Sequence, residues 1–253
     1  MLFTELPFLD RFEAAAMAGF RAVECQSPYD SDASLIAERL NANGLTMVLH
    51  NLPAGNWAAG ERGLAIFPDR VEEFRAGLAR AIAYAKALGC THLNCLAGIQ
   101  PRGLDEKVLT HTFIENLRYA ADALSREGIH LLIEAINTRD IPGFYLNTTS
   151  QGLDVIAATG SNNLFLQYDV YHMHIMEGLA EPTLSQNLAA IKHIQIADHP
   201  GRHEPGTGTI DFPALFKHID QLGYDGWIGC EYHPQTTTVA GLSWLRANAS
   251  HRT

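Results

Sequence analysis

Apolar residues in this chain change period again and again, from short β-branched runs to longer stretches with apolar positions three and four apart. A run buried on both faces suits a strand of a parallel sheet, and the three-and-four spacing suits a helix packed against that sheet. Seven runs read as strands, at 22–25, 46–50, 92–96, 130–134, 164–169, 193–197 and 227–231. Helical spacing covers 7–18, 34–43, 71–88, 105–127, 150–158, 183–190, 212–222 and 239–248. Gly19, Gly44, Gly89, Gly128, Gly160 and Gly223 stand where helix C-termini are expected.

No Pro/Ser-rich linker or block of charge divides the chain, so a single domain over residues 1–253 is expected. Alternating β and α over this length predicts an α/β fold, a (β/α)8 TIM barrel, whose typical size is about 250 residues. The chain opens on what reads as the first helix, so the first strand is expected to be missing from the sequence as it stands. An open barrel edge would leave backbone groups unpaired and invite a partner, which puts a homo-oligomer among the expectations. A doubly wound sheet is the structural alternative, but no G-x-G-x-x-G follows the first strand.

With 18 Lys and Arg against 28 Asp and Glu, the formal net charge of −10 opposes binding to a phosphate backbone or an anionic membrane surface. No stretch reaches the roughly 18 uncharged apolar residues of a membrane span, and MLFTELPFLDRF lacks the basic start of a secretory signal, so a cytoplasmic protein is expected. Cys25, Cys90, Cys95 and Cys230 form no C-x-x-C pair and lie in or beside apolar runs, which reads as four reduced core residues.

Barrel active sites gather at the C-terminal ends of the strands. There this chain places Glu134 in LLIEAIN, Asp169 in QYDVYHMH with His172 three residues later, Gln195 in HIQIADH and Glu231 in GCEYHP. Earlier strands end with Glu24 in AVECQ and with His50 and Asn51 in MVLHN. Three carboxylates and an amide oxygen at one barrel mouth would repel one another, and a divalent cation resolves that conflict. An all-oxygen set suits Mg²⁺ or Mn²⁺, and the absence of H-E-x-x-H argues against a zinc protease. Taken singly, each acid could as well cap a helix or pair with an arginine. The glycines of RHEPGTGTIDF lack the G-K-[ST] ending of a phosphate loop, and Arg202 beside them is the better candidate, as a fork for a substrate carboxylate. Asp140, Asp198 and Glu204 read as loop or supporting groups, and His174, His193 and His199 as structural histidines.

At HNLPAGNWAAGERG (50–63), LLIEAINTRDIPGF (131–144), QYDVYHMHIMEG (167–178), HIQIADHPGRHEPGTGTI (193–210) and GCEYHPQTTTVAGLSW (229–244) the sequence resembles the hydroxypyruvate isomerase family. That family is a branch of the xylose-isomerase-like TIM barrels that also includes 2-oxo-tetronate isomerases. The resemblance implies a metal-assisted 1,2-proton transfer through an enediol on a small hydroxy-oxo acid. It implies Glu134, Asp169, Gln195 and Glu231 as metal ligands, Glu134 and Glu231 as the proton-transfer pair, and His172, Arg202, His50 and Glu24 around the substrate. Ketose epimerases of the superfamily usually carry a histidine where Gln195 stands and a glutamate where Asp140 stands, and both differences favour the hydroxypyruvate branch. The family's strand ahead of this region typically leads into Asn-Leu-Ser, and that strand is not in this sequence. Competing readings are a sugar epimerase, a multi-zinc repair endonuclease, which the charge of −10 disfavours, and a non-catalytic metal- or sugar-binding barrel.

Overall fold

The computed structural model describes residues 1–245. Seven strands, β1 (Ala22–Cys25), β2 (Thr46–Asn51), β3 (His92–Cys95), β4 (His130–Glu134), β5 (Leu164–Asp169), β6 (Ile191–Ile196) and β7 (Ile228–Cys230), pair in chain order. Every pairing is parallel. Among the described residues α1 (Arg11–Met17) precedes the strands, and seven further α-helices connect them: α2 (Ala33–Ala42), α3 (Val71–Leu88), α4 (Glu106–Ser125), α5 (Thr149–Thr159), α6 (Val170–Met176), α7 (Ala180–Asn187) and α8 (Phe212–Gln221). This is the α/β TIM-barrel architecture, nearly closed.

No hydrogen-bonded pairing joins β1 to β7 among the described residues. Their edges border a cavity of about 690 Å³ whose walls include Phe3, Phe12, Phe20, Val23, Ile228 and Trp244. Side chains bridge the opening instead. Glu24 of β1 accepts from Gln195 Nε2 of β6 at 2.9 Å and pairs with His193 Nε2 at 2.5 Å. Above the gap, Phe3 N donates to Thr238 Oγ1 at 2.7 Å, which ties the first residues to the loop after β7.

The helices start and stop where local chemistry allows it. Asp105, Thr148 and Asp211 accept from backbone N–H groups in the first turns of α4, α5 and α8. Gly89 and Gly160 end α3 and α5 with φ of 63° and 65°, the left-handed conformation in which a Cβ is costly. One face of each long helix fills the layer against the sheet: Phe74, Leu78, Ala81 and Ala85 from α3, and Phe113, Leu117, Ala120 and Leu124 from α4. Helix α6 has no counterpart in the sequence reading. Asp169 ends β5 and caps α6 at once, its carboxylate accepting from Tyr171 N at 2.8 Å, so no loop separates strand from helix. The helix expected at 239–248 is a single 3-10 turn at Ala240–Leu242 that continues helically through 243–245, and its last three residues lie outside the described ones. The four cysteines are unpaired, Cys90 and Cys95 buried and Cys25 and Cys230 partly so. No described helix is long and apolar enough to cross a membrane.

Candidate active site at the C-terminal ends of the strands

Register decides which side chains face the barrel interior. In-register pairs share a face, so the line Asn51, Asn94 on β2 and β3 and the line Gln167, His193 and Asp169, Gln195, Gly229 on β5 to β7 fix the inward rows. Glu134, Asp169 and Glu231, all buried, come together with His172 so that one ligand atom of each lies within 4.8 Å of the others. Such a cluster is able to hold a metal ion.

Each acid is held by its own strand and its neighbours. Glu134 Oε2 accepts from Asn94 Nδ2 at 3.0 Å, and the same amide reaches Asn51 Oδ1 at 3.2 Å. Glu231, next after β7, accepts from Gln26 Nε2 at 2.8 Å and from Arg202 at 2.6 Å. Arg202 also donates to Asp169 Oδ2 at 3.3 Å, and its guanidinium carbon lies 5.1 Å from the centre of the Tyr171 ring. His172 Nε2 sits 3.5 Å from Asp169 Oδ2 and 3.9 Å from Glu134 Oε1.

Three carboxylates against one guanidinium leave excess negative charge, and the titration behaviour follows. Burial, and then the charges of Glu231 and Asp169, push the Glu134 carboxyl well above the usual range. Burial also raises Asp169, although Arg202 and backbone N–H groups pull the other way. Burial and the neighbouring Arg202 hold the His172 imidazole down at about 3, so the ring is neutral around pH 7.

Arg202 is placed by the loop it belongs to. The fully buried Asp198 carboxylate accepts from the backbone N–H groups of His199, Gly206, Gly208 and Ile210 at 2.8, 2.9, 2.8 and 3.1 Å. Asp198 and His203 bridge across the loop, and between them Arg202 takes a φ of 56°. Gly208 lies against this turn so closely that a Cβ would stand 2.2 Å from His199 O.

Gln195 lies in the same interior row. Its Nε2 donates to Glu24, and its Oε1 accepts from Gln167 Nε2 at 2.6 Å. A carboxylate can only accept, so Glu24 fixes which end of the Gln195 amide is oxygen. Glu24 itself is raised by burial, but the charge and hydrogen bond of His193 and the bond from Gln195 outweigh this and hold it below the usual carboxylate range. His50 is not brought to the cluster. It falls one residue from Asn51 on β2, hence on the opposite face, where its ring stands edge-on to Tyr29 and its Nδ1 lies 3.1 Å from Asn51 O. The β2 side chain that joins the interior polar row is Asn51.

Asn94, Gln26, Gln167, Asn137 and Tyr171 belong to the site's hydrogen-bond network without having been singled out from the sequence. For Asn94 a usable signal existed, an amide within the apolar strand run HLNC.

The model of the family described as xylose isomerase-like TIM barrel matches residues 12–248. A hydroxypyruvate isomerase of Escherichia coli (strain K12) is 55% identical over 97% of this chain and 95% of its own length. A 2-oxo-tetronate isomerase of Cupriavidus necator is 48% identical over 97% and 95%. A crystal structure from Brucella melitensis, titled as an AP endonuclease of family 2, superposes with a TM-score of 0.95 at 44% identity, covering 98% of this chain and 95% of that one.

Proposed function

The chain belongs to the xylose isomerase-like TIM barrel family, its relatives make it an isomerase of the aldose–ketose type, and we propose that it interconverts hydroxypyruvate and tartronate semialdehyde, or a closely related 2-oxo acid pair. The observation that carries this reading is the buried set of Glu134, Asp169 and Glu231 at the C-terminal ends of β4, β5 and β7, with one guanidinium, Arg202, between two of them. The relatives' printed names supply the substrate class.

In the proposed reaction one of the two glutamates takes a proton from C3 of hydroxypyruvate, and the other returns a proton to C2. O2 gains a proton as C3 loses one, which gives an enediol with the same atoms as either end, and O3 gives up its hydroxyl proton as C2 is protonated. Glu134 ends β4 and Glu231 follows β7, so two carboxylates from separate strands are available for a two-base transfer. Arg202 offers a planar fork to the substrate carboxylate, and His172 offers a hydrogen bond to a substrate oxygen. Glu24 acts one step removed, by orienting Gln195.

The donor set fits a hard divalent cation: three carboxylates gathered where their mutual repulsion needs a positive charge, with the Gln195 amide in the same interior row. Glu134, Asp169, Gln195 and Glu231 would hold Mg²⁺ or Mn²⁺, which when bound stabilises the negative charge that develops on the enediol oxygens. A multi-zinc site would need clustered histidines, and among the described residues only His172 joins the carboxylates.

The test is isomerisation of hydroxypyruvate by the purified protein, followed with a tartronate semialdehyde reductase, beside the same assay with a four-carbon 2-oxo acid. Turnover of either acid, lost with EDTA and restored by Mg²⁺ or Mn²⁺, is expected. Turnover of a free ketose and of neither acid would overturn the proposal.

A further inference from the structure

Asn137 lies just after β4, is completely buried, and carries no charge that would draw attention to it. Its side chain has four polar contacts, and together they permit one orientation. Oδ1 accepts from the backbone N–H groups of Arg139 at 3.1 Å and Asp140 at 2.8 Å. Nδ2 donates to Asp140 Oδ2 at 3.1 Å and lies 2.6 Å from His172 Nδ1. Turning the amide over would set its NH₂ group against two N–H donors and its oxygen against a carboxylate. The Asp140 carboxylate is itself anchored, accepting from Tyr171 OH at 2.9 Å.

An NH₂ group facing Nδ1 makes that nitrogen the acceptor. A neutral imidazole carries its single proton on the other nitrogen, which here is Nε2. Nε2 is also the atom that points into the carboxylate cluster, 3.5 Å from Asp169 Oδ2. By position alone His172 qualifies as a metal ligand, yet ligation needs a lone pair on Nε2, and a protonated nitrogen has none to give.

We propose that Asn137 is a positioning residue that locks His172 in its Nε2–H tautomer, so that His172 meets a substrate oxygen as a hydrogen-bond donor and does not ligate the metal. The donor's target rests on the isomerase reading above, whereas the tautomer stands on the hydrogen bonds alone.

The experiment is nitrogen-15 NMR of the histidine rings in the full-length protein without substrate, first in EDTA and then with Mg²⁺, with His172→Gln used to assign the signal. In both spectra His172 should show a protonated Nε2 and an unprotonated Nδ1. A proton on Nδ1, or loss of the Nε2 proton when Mg²⁺ is added, would overturn the proposal. Asn137→Asp, which puts an acceptor opposite Nδ1, should swap the tautomer and lower kcat about 10²-fold, the usual cost of one lost donor to a developing charge. Asn137→Ala, which adds no charge beside Asp140, should give a mixture of the two tautomers. If the ring stays wholly Nε2–H in both variants, Asn137 does not set it. Because the spectra contain no substrate, they decide the tautomer even if hydroxypyruvate is not turned over.

Discussion

Replacing Glu134 by glutamine keeps the shape and the buried polar group but removes one negative charge from a cluster of three carboxylates and one guanidinium. Two unit charges 4.8 Å apart in surroundings of effective dielectric about 20 interact by about 3.5 kcal/mol. Burial penalises the ionised form of Glu134 first, and beyond that it meets two such repulsions, from Glu231 and Asp169, against one attraction from Arg202 taken as equal in size, a charge cost of about 3.5 kcal/mol. Its carboxyl is therefore raised, so the folded protein keeps a proton that the unfolded chain gives up. Wild-type stability from this group is complete below the ordinary glutamate range and is lost as pH rises through the raised folded value. Urea unfolding in EDTA, followed by circular dichroism at several pH values, should give coincident stabilities for Glu134→Gln and wild type near pH 4.5. At pH 8.5 the variant should be more stable by about 3.5 kcal/mol, while its kcat falls at least 10²-fold. A stability difference that does not change with pH, or a less stable variant at pH 8.5, would refute the charge reasoning.

Further outcomes follow from other parts of the site. Gly208→Ala forces the turn around Asp198 to shift, because the new Cβ would meet His199 O at 2.2 Å. Displacing Arg202 by about 1 Å should cost about 10² in kcat/KM with the circular dichroism spectrum unchanged, and near-normal kinetics would show that the loop does not place the arginine. Arg202→Lys keeps the charge and loses the fork, so kcat/KM should fall about 10- to 100-fold, chiefly through KM. An unchanged KM would remove Arg202 from carboxylate binding. Burial holds the His50 imidazole down at about 4, whereas the unfolded ring titrates near 6.5, so the unfolded state binds the extra proton as pH falls between these values. Any stability deficit of His50→Gln against wild type should therefore shrink by about 3 kcal/mol as pH drops from 7 towards 4, and a constant difference would contradict this.

The barrel was legible because its signal is collective. The strands at 22–25, 130–134 and 164–169 agree with the structure at both ends, and those at 46–50 and 92–96 differ by one residue. Glu134 and Asp169, as final residues of strands, needed only the rule that active sites form at those ends. Helix α6 escaped because the residue that ends β5 also caps the helix, leaving no turn residues to mark a boundary. His50 and Asn51 were both presented by the sequence as strand-end groups, but neighbouring residues face opposite ways, and only the register with Asn94 decides which one looks inward. Neutral amides such as Asn137 and Gln167 carry no signature in a single sequence, since their role lies in which partner each end of the amide meets. The reach of Glu24 from β1 to β6 follows from the opening between β1 and β7, which no pattern within either strand encodes.

The central claim is that two glutamates move protons between adjacent carbons of a small 2-oxo acid. Running the hydroxypyruvate reaction in D₂O and reading the product by proton NMR tests it most directly. If one glutamate removes the C3 proton and the other delivers a solvent-equilibrated one, tartronate semialdehyde should carry deuterium at C2 from the first turnovers, and Glu134→Gln and Glu231→Gln should each abolish its appearance. Product that retains protium at C2 throughout would mean that hydrogen passes directly between the carbons, and the two-base account would be wrong.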